Sequence, residues 1–428
     1  MFPILWPRVA QAEDHRVCIR WDWLGKQAGF RDISPRPAKV GLGGQTDWDT
    51  YNYAQDAQDD RGRRDQPDDL APRRMLARVT NGSSTLWGWD FLDEHGCTDV
   101  FDTAVSTVDL EFVRWSYWES TGNQVVVLNC LDGDCFVDPD EVTLSVSSGV
   151  QDVLYSDANS GIGYQYAVHW AMSFAEEDVP LHTGLTKYGA LWGNGAIPRS
   201  QTNLLIGGQP TVSILSPSDQ AKRKYVIVHE FGHLQTLVPA LPAVLNFADL
   251  DYCFDPGQLP NEIHCSEPSQ MLTANHGFDS QEWQSAAAVE GFADFYSMLV
   301  FNDPGGGLGV IANNQALGSI VLLPPEEILA YRSDESNASW YLNLDPSVQV
   351  QGTAIQHDWA FFAWDMVIGA NAIDPADVLA WLWQSYPWPL SGVSDDWWSH
   401  FHATNAAPLD ATQEAKFDDA AASRKVDQ

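Results

Sequence analysis

Two spacings of apolar residues divide the chain. From Arg16 to about Val150 hydrophobic and polar residues alternate: Val17, Ile19, Trp21 and Trp23 are interleaved with Cys18, Arg20 and Asp22. Similar runs follow at 75–80, 84–92, 110–118, 124–130 and 142–150, separated by turns such as Asn81-Gly82 and Asp132-Gly133. A period of two marks strands with one buried face. Several short strands joined by such turns predict a β-sandwich over residues 15–150. The interruption at 47–74, rich in Asp, Gln, Arg and Pro, reads as a solvated loop.

After residue 150 the spacing becomes helical. An amphipathic helix is expected at 161–175 and strands at 202–215. A long helix then runs between the starting signal Ser216-Pro217-Ser218 and the stop at Pro239. Val226, Ile227, Val228, Phe231 and Leu234 surround that helix with apolar side chains, so it should be buried on most sides. Another helix is expected over 279–297, opened by the capping pair Asp279 and Glu282. Its small residues Ala286, Ala287, Gly291 and Ala293 suit close approach to a neighbour. Further helices are expected at 353–366, at 378–386 behind Asp374-Pro375, at 395–403 behind Ser394, and at 409–423. The tryptophans Trp381, Trp383, Trp388, Trp397 and Trp398 read as core packing of this helical end, in preference to a carbohydrate platform. The fold class is therefore α+β, with an N-terminal accessory domain over 15–150 and a second domain over 151–428.

Charge narrows the partners. The chain carries 58 acidic against 23 basic residues, a formal net charge of −35, which disfavours nucleic acid and anionic membranes. No run approaches the roughly 20 apolar residues of a membrane span. Residues 1–14 hold a short apolar patch and Ala10-Gln11-Ala12, read as a truncated or misassigned signal segment. The six cysteines lack paired zinc-cluster spacing. Disulfides fit them: Cys130 with Cys135 and Cys253 with Cys265 would close short loops, leaving Cys18 with Cys97, although other pairings remain open and reduced thiols are the competing expectation. With the acidity, this points to a secreted, extracellular protein. The stretch Asp132 to Glu141 concentrates oxygen donors that Ca²⁺ would accept, but without EF-hand spacing, so an acidic turn competes with a calcium site.

The chemistry sits in His229-Glu230-Phe231-Gly232-His233. On a helix, a spacing of four puts both imidazoles on one face, where they can reach one ion, with Glu230 beside that ion and free to act as a base. On the later helix Glu290 and Asp294 share a face in the same way, and Glu290 is the candidate third ligand.

His-Glu-x-x-His on one helix and Glu-x-x-x-Asp on a later one resembles the gluzincin metallopeptidases, of which thermolysin is a member. That resemblance implies a zincin-type metallopeptidase domain over 151–428, with a mixed sheet, active-site helices and a helical C-terminal subdomain. It implies Zn²⁺ held by His229, His233 and Glu290, with Glu230 as general base and Asp294 orienting a ligand histidine. It also suggests His357 as oxyanion donor, with Tyr296 and Tyr341 as substitutes, and Leu191 to Ala196 as a substrate-facing sheet edge. The metzincin pattern fails, because Thr236 and Pro239 stand where it requires Gly and His. The stretch 234–289 is longer than the thermolysin pattern has and should loop out. The run from Gly88 to Cys97 resembles the strand and turn of small prealbumin-like domains.

The expected function is zinc-dependent hydrolysis of peptide bonds in a protein or peptide substrate. The absence of a Gly-x-Met-Glu-Asn run favours endopeptidase action. The competing expectation is a latent or non-proteolytic protein of the same fold whose sandwich mediates binding.

Overall fold

The computed structural model describes residues 13–21, 72–93, 96–104, 106–131, 134–145, 149–155, 160–192, 201–206, 209–215, 224–237, 284–301, 304, 310–312, 330–332, 356–385 and 397–427. The strands are β1 (Glu13–Trp21), β2 (Met75–Thr80), β3 (Thr85–Phe91), β4 (Phe101–Thr103), β5 (Thr107–Trp118), β6 (Asn123–Cys130), β7 (Asp140–Ser145), β8 (Gly149–Tyr155), β9 (Thr186–Trp192), β10 (Gln201–Ile206), β11 (Gln209–Leu215), β12 (Val310–Ala312) and β13 (Ala330–Arg332). The helices are α1 (Ser160–Asp178), α2 (Lys224–Leu237), α3 (Gln284–Phe301), α4 (Gln356–Val367), α5 (Pro375–Gln384), α6 (Trp397–Asn405) and α7 (Ala411–Arg424). The chain is mixed α and β.

The main sheet has the order β10-β11-β9-β6-β5-β2-β3, with β7 also on β5. The long strand β5 serves two neighbours along one edge: its first half pairs β7 and its last residues pair β6, both antiparallel. β9 lies parallel to β6 on one side and to β11 on the other. This arrangement corrects the expected sandwich over 15–150, because strands from before residue 150 share one sheet with the strands that lead to α2. The reason is physical: alternation reports one buried face and is silent about whether a second sheet or a layer of helices covers it. Here helices do. Val79, Leu110, Phe112, Val125 and Val127 join Tyr166, Val168 and Met172 of α1 in one core that continues through α2 to α7. Gly189 on β9 lies close under α1: a Cβ there would come to 2.7 Å from Met172 Sδ and 3.0 Å from Val127 Cγ2, so these side chains would have to shift.

β1 stands in a smaller sheet, antiparallel to β4 and parallel to β8. Cys18 is bonded to Cys97, stapling β1 to the turn after β3, and Cys130 is bonded to Cys135. Cys253 and Cys265 lie outside the described residues. Asp140, one of the oxygen donors grouped for calcium, instead takes Arg114 Nη1 at 2.6 Å and the Tyr166 hydroxyl.

Of the tryptophans read as core of the helical end, Trp381 and Trp398 pack there, Trp383 lies against His182, and Trp388 and the Trp397 side chain lie outside the described residues. Trp359, Phe362, Trp381, Trp398, Phe401 and Phe417 form a ring cluster joining α4 to α7. Asp374 caps α5 with Pro375 in its first turn, as read from the sequence, and Asp410 with Gln413 closes a capping box on α7. Arg424 holds Asp365 through two bonds of 2.7 and 3.1 Å, tying α7 to α4.

A buried histidine on α1 gives the fold a pH dependence. Ser116 Oγ donates to the Arg73 carbonyl and lies 3.0 Å from His169 Nε2, whose hydrogen it accepts. Burial first, and Arg114 second, lower the His169 pKa to about 3. An unfolded imidazole titrates near 6.5, so below that value the unfolded chain binds a proton that the native state refuses. Stability therefore falls as pH drops from about 6.5 towards 3, with roughly 2 kcal/mol lost through this group between pH 7 and pH 5. His169→Gln should shrink the difference between urea unfolding free energies at pH 7 and pH 5 by about that amount; an unchanged difference would show that His169 does not drive it.

Candidate metal centre

The site is built where α2 crosses α3. Gly232, inside the histidine motif, sits against the backbone of α3: a Cβ there would come to 2.9 Å from the Ala293 carbonyl oxygen and 3.0 Å from its Cα. Glycine in the motif and alanine across from it let the helix backbones approach closely enough for side chains one turn away to meet. Phe231 packs edge-on against Tyr296 beside this contact.

Three donor atoms converge there. His229 Nε2 is 3.0 Å and His233 Nε2 3.1 Å from the same Glu290 oxygen, Oε2, and the two Nε2 atoms are 3.1 Å apart. Among the described residues this is the group of His, Cys, Asp and Glu able to hold a metal ion. Tetrahedral zinc with bonds of about 2.0–2.1 Å separates its ligand atoms by about 3.3 Å, so the triangle fits within a few tenths of an ångström. The chemistry of the donors, two imidazoles and one carboxylate, fits as well.

Asp294 fixes the tautomer. Its Oδ1 lies 2.6 Å from His229 Nδ1, so that nitrogen carries the hydrogen and Nε2 presents its lone pair to the shared point. Burial lowers the affinity of His229 for a proton, but Asp294 and then Glu290 outweigh it, and in the metal-free site its pKa stands well above the usual histidine value. A metal entering the site therefore displaces a proton from His229.

Exposure separates the roles. His229, His233, Glu230 and Glu290 each retain 7–8 % of their surface, while Asp294 behind them keeps 1 % and Phe231 none. All five polar residues are buried, Asp294 the most deeply. Glu230, next to His229 in the chain, is buried and supplies none of the three atoms.

The sequence residues His229, His233, Glu290 and Asp294 are brought together as expected. Tyr296, considered as an oxyanion donor, is not: it is fully buried, with its hydroxyl donating to the Val179 carbonyl at 3.1 Å and Ala175 at 3.3 Å, away from the donor triangle. Burial pushes its pKa well above the usual tyrosine value. His357 falls in the first turn of α4, and its side chain lies outside the described residues, as do Tyr341, the helix-start signals at 216–218 and 279–282, and Pro239. Leu191 and Trp192 belong to β9, which is paired on both sides, so these two residues are not a sheet edge, while 193–196 lie outside the described residues; among the described strands β10 ends the sheet.

One feature of the site had no sequence signal. Glu176, at 1 % exposure near the end of α1, accepts Asn123 Nδ2 at 2.6 Å and Gln235 Nε2 at 2.9 Å and forms an ion pair with the buried Lys187. His182 Nε2 donates to the Gln235 carbonyl at 2.6 Å, satisfying a backbone oxygen in the last turn of α2. The end of α2 is thus tied to β6, β9 and α1 through one carboxylate. Compared with models of known protein families and with curated protein sequences, the chain finds no match in either.

Proposed function

We propose that the protein is a zinc-dependent endopeptidase. The observation that supports this reading most is the convergence of His229 Nε2, His233 Nε2 and Glu290 Oε2, on a motif that also carries a buried carboxylate, Glu230, which is not one of the three. A structural zinc site has no use for that extra carboxylate and usually fills its fourth position with protein.

His229, His233 and Glu290 would hold zinc, which would supply a Lewis acid for the scissile carbonyl and lower the pKa of a water towards about 7. Glu230 then accepts a proton from the attacking water and returns it to the departing amine nitrogen. Asp294 holds His229 in the tautomer that leaves Nε2 free to ligate. His357 is the proposed donor to the oxyanion. The β10 edge has β11 on one side and no strand partner on the other among the described residues, which suits addition of an extended peptide. Two disulfides and the acidic composition support action in an oxidising, extracellular setting. Among the described residues no helix is long and apolar enough to cross a membrane.

The purified protein should cleave casein and members of a mixed peptide library. Hydrolysis should stop on addition of 1,10-phenanthroline and return when zinc is resupplied. Chelator-resistant hydrolysis, or no hydrolysis of any peptide by the zinc-loaded protein, would overturn the proposal.

A further inference from the structure

The outward face of the sheet at its β3 corner has chemistry that the metal centre does not use. Its aromatic part consists of Trp89, Phe91, Trp115 and Tyr117. Trp89 and Trp115 are 43 % and 36 % exposed, and Phe91 lies between Trp115 and Tyr117, with ring centroids 6.1 and 5.5 Å away. Trp115 is fixed in place by its indole N–H, which donates to Gln124 Oε1 at 3.0 Å. β3 itself is a sheet edge, paired to β2 alone among the described strands of this sheet.

Next to these rings the face is acidic. Arg78 on β2 stands opposite Glu111 on β5, and Glu111 stands opposite Glu141 on β7. One row further along, Asp109 faces Thr143, whose hydroxyl donates to it at 2.7 Å. Among the described residues of these three strands, Glu111, Glu141 and Asp109 thus share the face with Arg78. Two glutamates directly across from each other repel, an arrangement that favours the arrival of a positive charge.

Arg78 displays how such a charge is held. Its guanidinium is gripped by both Glu111 oxygens, at 2.8 and 2.7 Å, while its Cζ sits 4.7 Å from the centroid of the Trp89 ring. Carboxylate behind and indole face beneath is a combined ion-pair and cation–π site. Trp115 stands on the same face of β5, about 13 Å along the strand from Glu111 and about 20 Å from Asp109, so rings and carboxylates are spread along one face rather than gathered at one point.

We propose that this corner is a docking surface for an extended, basic polypeptide segment. Arginine or lysine side chains at alternate positions of such a segment share one face and project about 7 Å apart, towards the rings and carboxylates, while its backbone can pair with the β3 edge. A polyanion is excluded by the same carboxylates. The inference is independent of the hydrolase reading, because it concerns binding alone.

The test is fluorescence anisotropy of a labelled nine-residue peptide alternating arginine and threonine, at 150 mM salt, with the peptide verified intact by mass spectrometry. Against the full chain, Trp89→Ala and Trp115→Ala should each weaken binding about three- to fivefold, and the pair about tenfold. Phe136→Ala, which removes an exposed ring elsewhere at constant charge, should leave affinity unchanged. Unfolding temperatures matching the wild type would show that the variants are folded. The proposal is overturned if the double variant binds the peptide as tightly as the wild type, since the attraction is then only overall charge. It is equally overturned if the wild type prefers a neutral hexamer of β-1,4-linked N-acetylglucosamine and loses it with the same substitutions, since the surface is then a glycan platform.

Discussion

Glu230→Gln is expected to lower kcat for peptide hydrolysis roughly a hundred- to ten-thousandfold while the protein keeps its metal. The amide has the shape of the carboxylate, and Glu230 supplies none of the three converging atoms, so the triangle should survive. What is lost is a group able to take a proton from water and give it to the leaving nitrogen. KM should change little, because the missing interaction is made in the transition state. Steady-state kinetics with metal analysis on the same sample separates the outcomes. If turnover stays within a few-fold of wild type at full metal occupancy, another residue is the base; if metal is lost with activity, Glu230 has a structural part that the geometry does not indicate.

The second large effect lies behind the site. Lys187→Met should destabilise the fold by about 3–5 kcal/mol, because it leaves the Glu176 carboxylate buried without its cation. Burial lowers the Lys187 pKa, with Glu176 working against that shift, and the pair survives in the interior because Asn123 and Gln235 satisfy Glu176 as well. The double variant Lys187→Met with Glu176→Gln should recover much of the loss, since no buried charge then remains. Urea unfolding of the four proteins in this cycle measures the coupling. Equal losses in the single and double variants would mean that the cost is packing. Because Gln235 is on the same helix as His233, zinc affinity should weaken in the single variant and recover in the double.

The donor set was legible in the sequence because it depends on spacing along helices. His229 and His233 are one turn apart, as are Glu290 and Asp294, and any helix puts such pairs on one face. Small residues on the second helix point to a close crossing, and Ala293 is at it; the matching Gly232 stands inside the motif, where the spacing of the histidines says nothing of its packing. Strand positions were legible for the same reason, β2 to the residue. What spacing could not reveal was which strands are neighbours. The parallel pairing of β6 with β9 depends on α1 crossing the sheet between them, a long-range choice, and from this came the mistaken separate sandwich. The Glu176 network was equally hidden. Glu176, Glu177 and Asp178 look like a solvated helix end, and only the fold distinguishes the buried Glu176 from Glu177, which takes Arg74 at the surface. Tyr296 is placed wrongly by spacing for a related cause: two residues past Asp294, it lies on a different face of α3 from Glu290.

The most direct test of the account is zinc stoichiometry by native mass spectrometry, with wild type and Glu290→Ala each equilibrated against free zinc buffered on the order of 1 nM, a level that a closed set of three ligands should saturate. The account predicts one zinc per chain in the wild type and none in Glu290→Ala. A wild type that stays metal-free, or a variant that still holds one zinc, would contradict the assignment of His229, His233 and Glu290 as the metal centre.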